Sequence, residues 1–251
     1  MYQTINCGPF KIVTFPIIIV LAIGVCMIVF IESNRYDILC FRKISMSANT
    51  AMLGAAVGGK IMFALTRLGD ANYSISYLFS GFVFYGGLIG GVIGIYFFCL
   101  YKKERFLELT DVYAGIIPLG QAIGRIGCYC NGCCYGKDYS GQFAVPYIVN
   151  GVYKTVFPTW FIESLFCFLI FCLLLTIKAK PYCGCYTAWY LMLYSAFRFI
   201  IEFYRGDEIR GVWKLFSTSQ IISILVFLSG VGILFYAYKK KDKNMIILER
   251  N

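Results

Sequence analysis

The chain contains no histidine. That absence removes the imidazole general base, the serine–histidine and cysteine–histidine nucleophile pairs, and every zinc site that mixes cysteine with histidine. Charge is scarce as well: Asp, Glu, Lys and Arg together make up 14% of 251 residues. Long polar stretches are missing too. The largest, Tyr129–Phe157, has room only for a small cap and not for an independent soluble domain. A small-residue cleavage site is lacking after the first apolar segment, which is preceded by a single lysine. The reading is a retained helix and not a signal peptide.

What is abundant is apolar surface. Hydrophobic residues make up 59% of the chain, and the mean hydropathy is +0.71. A soluble protein would not carry so much, so the fold class is an all-α integral membrane protein in one polytopic domain spanning 1–251. Seven apolar segments fall at about 12–31, 50–66, 78–100, 111–129, 158–177, 185–203 and 216–238, each near the ~20 residues that cross a bilayer.

The net charge of +10 raises the question of nucleic acid. Its distribution answers against it. With the N-terminus outside, the inward loops and tail carry 13 basic residues and the outward segments seven. That bias predicts N-out and C-in, with the cap facing outward, and makes the basicity a matter of topology and lipid contact.

Within this apolar background the stretch Gly120–Gly136, GQAIGRIGCYCNGCCYG, stands out. It puts Arg125 inside a predicted transmembrane helix, where an arginine costs several kcal/mol or more unless it meets a carboxylate, water or an anionic ligand. Helix two places Lys60 in the membrane, either snorkelling to the interface or functional. Tyr85 precedes the glycines of helix three, Gly86, Gly87, Gly90, Gly91 and Gly94, most of which read as tight helix packing. Glu163 lies early in helix five. Arg198, Glu202 and Arg205 follow at i, i+4 and i+7, one face of helix six. Combining residue depth with orientation sets all these groups at the outer leaflet. There Lys60, Arg125 and Arg198 face Glu163 and Glu202, with Arg205 at the rim. The cluster is net positive, and a phospholipid phosphate is the anion available at that depth. A purely structural charge network is the bland alternative.

Twelve cysteines are present, four of them crowded as Cys128, Cys130, Cys133 and Cys134, with Cys183 and Cys185 as a second pair at the other membrane face. Small packing residues are the expected role, an outer-face disulfide next, and no metal or cofactor is assigned.

At Gly124–Gly136 the chain resembles the bacterial prolipoprotein diacylglyceryl transferase signature, G-R-[IL]-G-N-F-x-N-G-E-x-x-G. Further motifs match in order: G-G-[KR] in helix two, G-G-L-I-G in helix three, and Asp111 with the following I-I-P-L-G. P-[ST]-x-x-x-E in helix five and F-R-x-x-x-E-F-x-R in helix six complete the set. The resemblance implies an enzyme of the bacterial inner membrane with its site at the outer leaflet. Its reaction would move the diacylglyceryl group of phosphatidylglycerol to the lipobox cysteine of a preprolipoprotein, forming a thioether and releasing glycerol phosphate. By position, Arg125 and Arg198 would bind the phosphate and stabilise charge on the leaving group, with Asn131, Gly136, Glu202 and Arg205 shaping the pocket. Gly86 and Gly87 would line it, and Lys60, Asp111 and Glu163 would support it.

This chain departs from that pattern at several positions. Tyr85 stands where family members place a histidine, Cys128 replaces the signature's first asparagine, Cys133 its glutamate, and Phe15 a tyrosine of helix one. With a pKa near 10, Tyr85 is a poor base unless the arginines lower it, whereas a thiol near 8.5 needs only modest help. Two rivals stand beside the transferase: a paralogue serving another acceptor, and a lipid-binding or transport protein without turnover. The sequence leaves the oligomeric state open.

Overall fold

A computed structural model describes residues 4–7, 10–32, 38–66, 81, 83–149, 152–176, 184–206, 212–213 and 216–248. Cys183 lies outside the described residues, as do Arg35, Arg67, Lys178, Lys180, Arg210, Lys214 and Arg250 of the charge count.

The described residues form seven α-helices: α1 Thr14–Glu32, α2 Ile38–Thr66, α3 Phe84–Lys102, α4 Phe106–Asn131, α5 Thr159–Thr176, α6 Cys185–Ile201 and α7 Thr218–Leu248. Three two-stranded antiparallel hairpins accompany them: β1 Thr4–Cys7 with β2 Phe10–Val13, β3 Val145–Val149 with β4 Val152–Val156, and β5 Val212–Trp213 with β6 Phe216–Ser217. The fold is thus an α-helical membrane protein with small β-hairpins added, and the segment 129–157 holds one of them. Four helices are long and apolar enough to cross a membrane, within 42–66, 85–102, 159–176 and 218–239, and α1 is a shorter apolar one. Helices α4 and α6 are not among them. They are the two that carry arginines in their later halves.

The chain divides into two compact units, Ser33–Leu109 and the remainder. In the first, α2 and α3 pack through their backbones. A Cβ added at Gly54, Gly58, Gly90 or Gly94 would overlap the facing chain, and Gly86 meets Gly58 and Met62 in the same way. Small residues four apart let helices approach this closely, which is how apolar helices associate where no hydrophobic effect separates them from lipid. The amide of Val83 donates to the Gly59 carbonyl oxygen at 3.3 Å. Lys60, Tyr85, Gly86 and Gly87 therefore gather at one end of this pair. Gly86, assigned by resemblance to substrate, is occupied in helix contact. Gly90→Val should destabilise the α2–α3 pair by at least about 1–3 kcal/mol, the usual cost of overpacking. Thermal melting in detergent reads this, and an unchanged midpoint would contradict the packing described.

In the second unit α1 lies along α4. Cβ atoms at Gly127 and Gly120 would touch the Phe15 ring and the Cys26 sulfur at 3.2 and 3.3 Å. Ala114, Ile170, Leu174 and Tyr186 form its buried core, joining α4, α5 and α6. Ser164 Oγ donates to the Ala122 carbonyl oxygen at 2.7 Å, and the Phe166 and Phe197 rings stack at 3.9 Å. These contacts fix the three helices that supply the charged side chains.

Candidate functional site

The site is organised around Glu163, whose side chain is 3% exposed. P-T-W-F-I-E starts α5 so that Glu163 falls one turn inside the helix, on the face toward α4 and α6. Its Oε2 pairs with Arg125 Nε at 2.7 Å. Its Oε1 accepts from Arg198 Nη1 at 2.8 Å and from Arg205 Nη1 at 3.4 Å. Arg198 Nη2 also reaches Glu202 Oε2 at 2.9 Å, the i,i+4 pair expected from helical spacing. Ser217 Oγ lies 3.1 Å from the other oxygen of Glu202.

Arg205 differs from its expected position at the rim. Helix α6 stops at Ile201, and a single 3₁₀ turn, Glu202–Tyr204, leads into an extended Arg205. That tighter turn redirects the chain, so the side chain of Arg205 is only 3% exposed and faces Glu163. The backbone there is held from the cap. Lys137 N donates to Tyr204 O at 2.9 Å, Gly206 N to Tyr135 O at 3.1 Å, and Gly136 N to Phe157 O at 3.1 Å. A side chain on Gly136 would collide with the Phe157 carbonyl, which is why the position suits glycine. Gly136 therefore braces the pocket through its backbone.

Among the described residues, three guanidinium groups and two carboxylates make up this buried cluster. Buried charges are tolerated only when paired, and Glu163 and Glu202 supply those pairs. Exposure ranks the arginines: Arg125 at 18%, Arg198 at 12% and Arg205 at 3%. Arg125 and Arg198 keep some exposed surface, whereas Arg205 is almost wholly buried.

The end of α4 assembles a second group. Gly132, at a φ of 76°, takes the left-handed position after the helix. Gly132 N donates to Tyr129 O and Cys133 N to Cys128 O, both at 3.1 Å. This is the Schellman closure, which brings the side chains at its two ends together. Here those ends are Cys128 and Cys133. Cys134 then adopts a φ of 61° and turns its thiol back into the group. The three sulfur atoms lie within 4.8 Å of one another, and Cys130 is not among them. Thr159 Oγ1 donates to the Cys134 carbonyl oxygen at 2.7 Å, and the Tyr147 hydroxyl to that of Cys133 at 2.9 Å. Burial pushes the Tyr147 phenol above its usual range, so it stays a donor. The neighbouring Cys128 and Cys133 thiols, with Arg205 and Arg125 beyond them, hold the Cys134 thiol far below the ordinary thiol range, and the Cys133 thiol donates to the Cys128 carbonyl oxygen at 3.5 Å. Arg125 Nη1 stands 3.8 Å from the Cys134 sulfur, so the thiol group adjoins the arginines.

The remaining expected residues are distributed as follows. Asn131 ends α4 with Nδ2 3.9 Å from the Cys133 sulfur. Asp111 sits 14 residues before Arg125 on the same helix, about 21 Å away at 1.5 Å per residue. Its carboxylate accepts from Gly184 N at 2.7 Å and from Thr187 N and Oγ1 at 2.8 Å, so it caps the first turn of α6. Lys60, Tyr85, Gly86 and Gly87 belong to the other unit. Sequence reading passed over Thr159, Tyr147 and Ser217, whose hydroxyls anchor the cap and Glu202. A polar residue beside a signature motif was the only hint.

A family profile described as "Prolipoprotein diacylglyceryl transferase" matches residues 3–236. A Clostridium tetani protein named "Phosphatidylglycerol--prolipoprotein diacylglyceryl transferase" is 33% identical over 193 residues, 73% of this chain and 76% of its own length. The Clostridium perfringens protein of that name numbered 2 is 33% identical over 197 residues, covering 75% and 77%. The Chlorobaculum tepidum protein is 27% identical over 219 residues, covering 79% and 75%. With its helices, its arginine–glutamate cluster and its ordered motifs accounted for, the chain belongs to the prolipoprotein diacylglyceryl transferase family.

Proposed function

We propose that this protein is a phosphatidylglycerol–prolipoprotein diacylglyceryl transferase that moves the diacylglyceryl group to the lipobox cysteine of preprolipoproteins. The observation that carries the reading is the convergence of Arg125, Arg198 and Arg205 on Glu163, with Arg125 and Arg198 keeping exposed surface. Glu163 orients Arg125 through Nε, which leaves the outer edge of that guanidinium for a phosphate oxygen. Arg198 supplies the second fork. As the carbon–oxygen bond to phosphate breaks, negative charge grows on the departing glycerol phosphate, and fixed guanidinium groups stabilise it there. Arg205 and Gly136 hold the floor of the pocket.

The roles of Tyr85, Gly86, Gly87 and Lys60 rest on the resemblance alone. The positive-inside bias supports seven spans in the bacterial inner membrane, N-terminus outside, with the site opening to the outer leaflet.

The test uses membranes containing the protein, phosphatidylglycerol and a lipobox peptide, with Arg125→Ala as control. Mass spectrometry should find a diacylglyceryl thioether on the peptide cysteine that vanishes in the control. No product, while another family member is active alongside, would overturn the reading.

A further inference from the structure

We propose that Cys128, Cys133 and Cys134 form a zinc site whose fourth coordination position takes the acceptor cysteine's thiol. The binding half stands on the cysteine geometry; the catalytic half rests on the transferase reading above.

The backbone builds the triad. The Schellman closure brings Cys128 and Cys133 together, and Cys134 joins them from a left-handed conformation. Among the described residues only Lys103 and Cys134 hold positive φ without being glycine. A glycine at 134 would relieve that strain, so the thiol is what the position supplies. Thr159 and Tyr147 fasten the two neighbouring carbonyls and fix the thiols' direction. The sulfurs already lie within 4.8 Å of one another. Tetrahedral zinc with 2.3 Å bonds needs them roughly 3.8 Å apart, a small contraction.

The donor set selects the ion. Three sulfurs with neither imidazole nor carboxylate favour a thiophilic d¹⁰ cation. The site stands beside the arginines, with the Cys134 sulfur 3.8 Å from Arg125 Nη1. Three protein ligands with a fourth position left to water or substrate is the arrangement of reactive zinc sites, as opposed to structural ones. All three cysteines are partly exposed, so an outside ligand can reach them.

The chemistry answers the missing histidine. A thiol that binds zinc is deprotonated outright, its proton passing to water. The bound thiolate's electron pair forms the carbon–sulfur bond at the glycerol carbon attached to phosphate. The carbon–oxygen bond breaks, and its pair leaves on glycerol phosphate beside Arg125. Zinc keeps its charge throughout and is left with the neutral thioether, a weak ligand that departs.

The test uses full-length protein purified in detergent. Elemental analysis should find one zinc per chain in wild type and in Cys130→Ser, and none in Cys133→Ser or Cys134→Ser. Since a misfolded variant would also lose metal, wild type stripped with chelator should regain one zinc on adding Zn²⁺ alone. Cobalt substitution should give a sulfur-to-cobalt charge-transfer band, and its visible bands should shift with a lipobox peptide but not with the serine version. Alkylation should be blocked until chelator is added, with no reductant needed. Metal-free protein with freely alkylated thiols, thiols released only by reductant, or copper in place of zinc would overturn the site. Zinc bound without the peptide-dependent shift would overturn the open position. A Cys133→Ser/Cys134→Ser enzyme transferring at the wild-type rate would overturn zinc's role while leaving the transferase reading intact. A zinc-loaded protein that makes no thioether would do the reverse.

Discussion

Glu163→Gln is expected to destabilise the protein by about 3–5 kcal/mol, the range for removing one partner from a buried ion pair. The change alters one atom and almost no volume, so packing contributes little. What it removes is the one anion that Arg125, Arg198 and Arg205 share among the described residues. An amide has one accepting oxygen and one donating nitrogen, and the nitrogen would face guanidinium donors. At least one of the three loses its acceptor in a place where water cannot fully replace it. Thermal melting in detergent checks the stability, and the thioether assay should show activity lost in parallel. Glu163→Asp keeps the charge but retracts it by one methylene, so its melting point should fall between the two. A Glu163→Gln protein that melts like wild type would remove Glu163 from the centre of the site.

Arg125→Lys should lower transfer by on the order of 10²–10³-fold, the usual cost of losing one transition-state donor. It should leave melting nearly unchanged, because the ammonium still reaches Glu163. The distinction lies in shape. A guanidinium pairs with Glu163 through Nε and presents other N–H groups outward at the same time, whereas an ammonium spent on Glu163 has no second planar edge. Arg205→Lys should behave oppositely, with a larger effect on melting than on turnover, since Arg205 is almost wholly buried. Turnover at saturating phosphatidylglycerol separates the two. A fall of less than about tenfold in Arg125→Lys, about 1.4 kcal/mol of barrier, would mean that Arg125 does not meet the leaving group.

Much of this site was legible because membrane depth and helical period are both written in one dimension. Arg198 and Glu202 are four apart, one in the last turn of α6 and the other directly after it, and they pair. Glu163 and Arg125 could be placed at one level from loop charges, but only the three-dimensional packing of α4 against α5 made them partners. Arg205 was misplaced because periodicity assumes the helix goes on. Nothing in F-R-F-I-I-E-F-Y-R marks the 3₁₀ turn that buries it. Asp111 was grouped with the site by motif alone, although its carboxylate caps α6 a helix length away. The cysteines carried a readable signal of their placement. A glycine after a helix implies the closure that joins the residues four before it and one after it, here Cys128 and Cys133. The left-handed Cys134 had no such signal, since cysteine has no preference for that conformation.

The order of synthesis gives the Glu163 hub a consequence for how the protein is made. Arg125 leaves the ribosome before Glu163, with the cap hairpin between them, and Arg198 and Arg205 come later still. In the seven-span arrangement proposed above, α4 therefore arrives with an arginine and no carboxylate to meet it, and it is not apolar enough to settle alone. Helix α5 is apolar and carries the missing anion. The insertion machinery must hold α4 at its polar edge until α5 emerges, and the two then enter lipid as a pair. In ribosome-bound chains ending before residue 163, α4 should crosslink to the insertion machinery, and in chains ending beyond α5 it should crosslink to lipid.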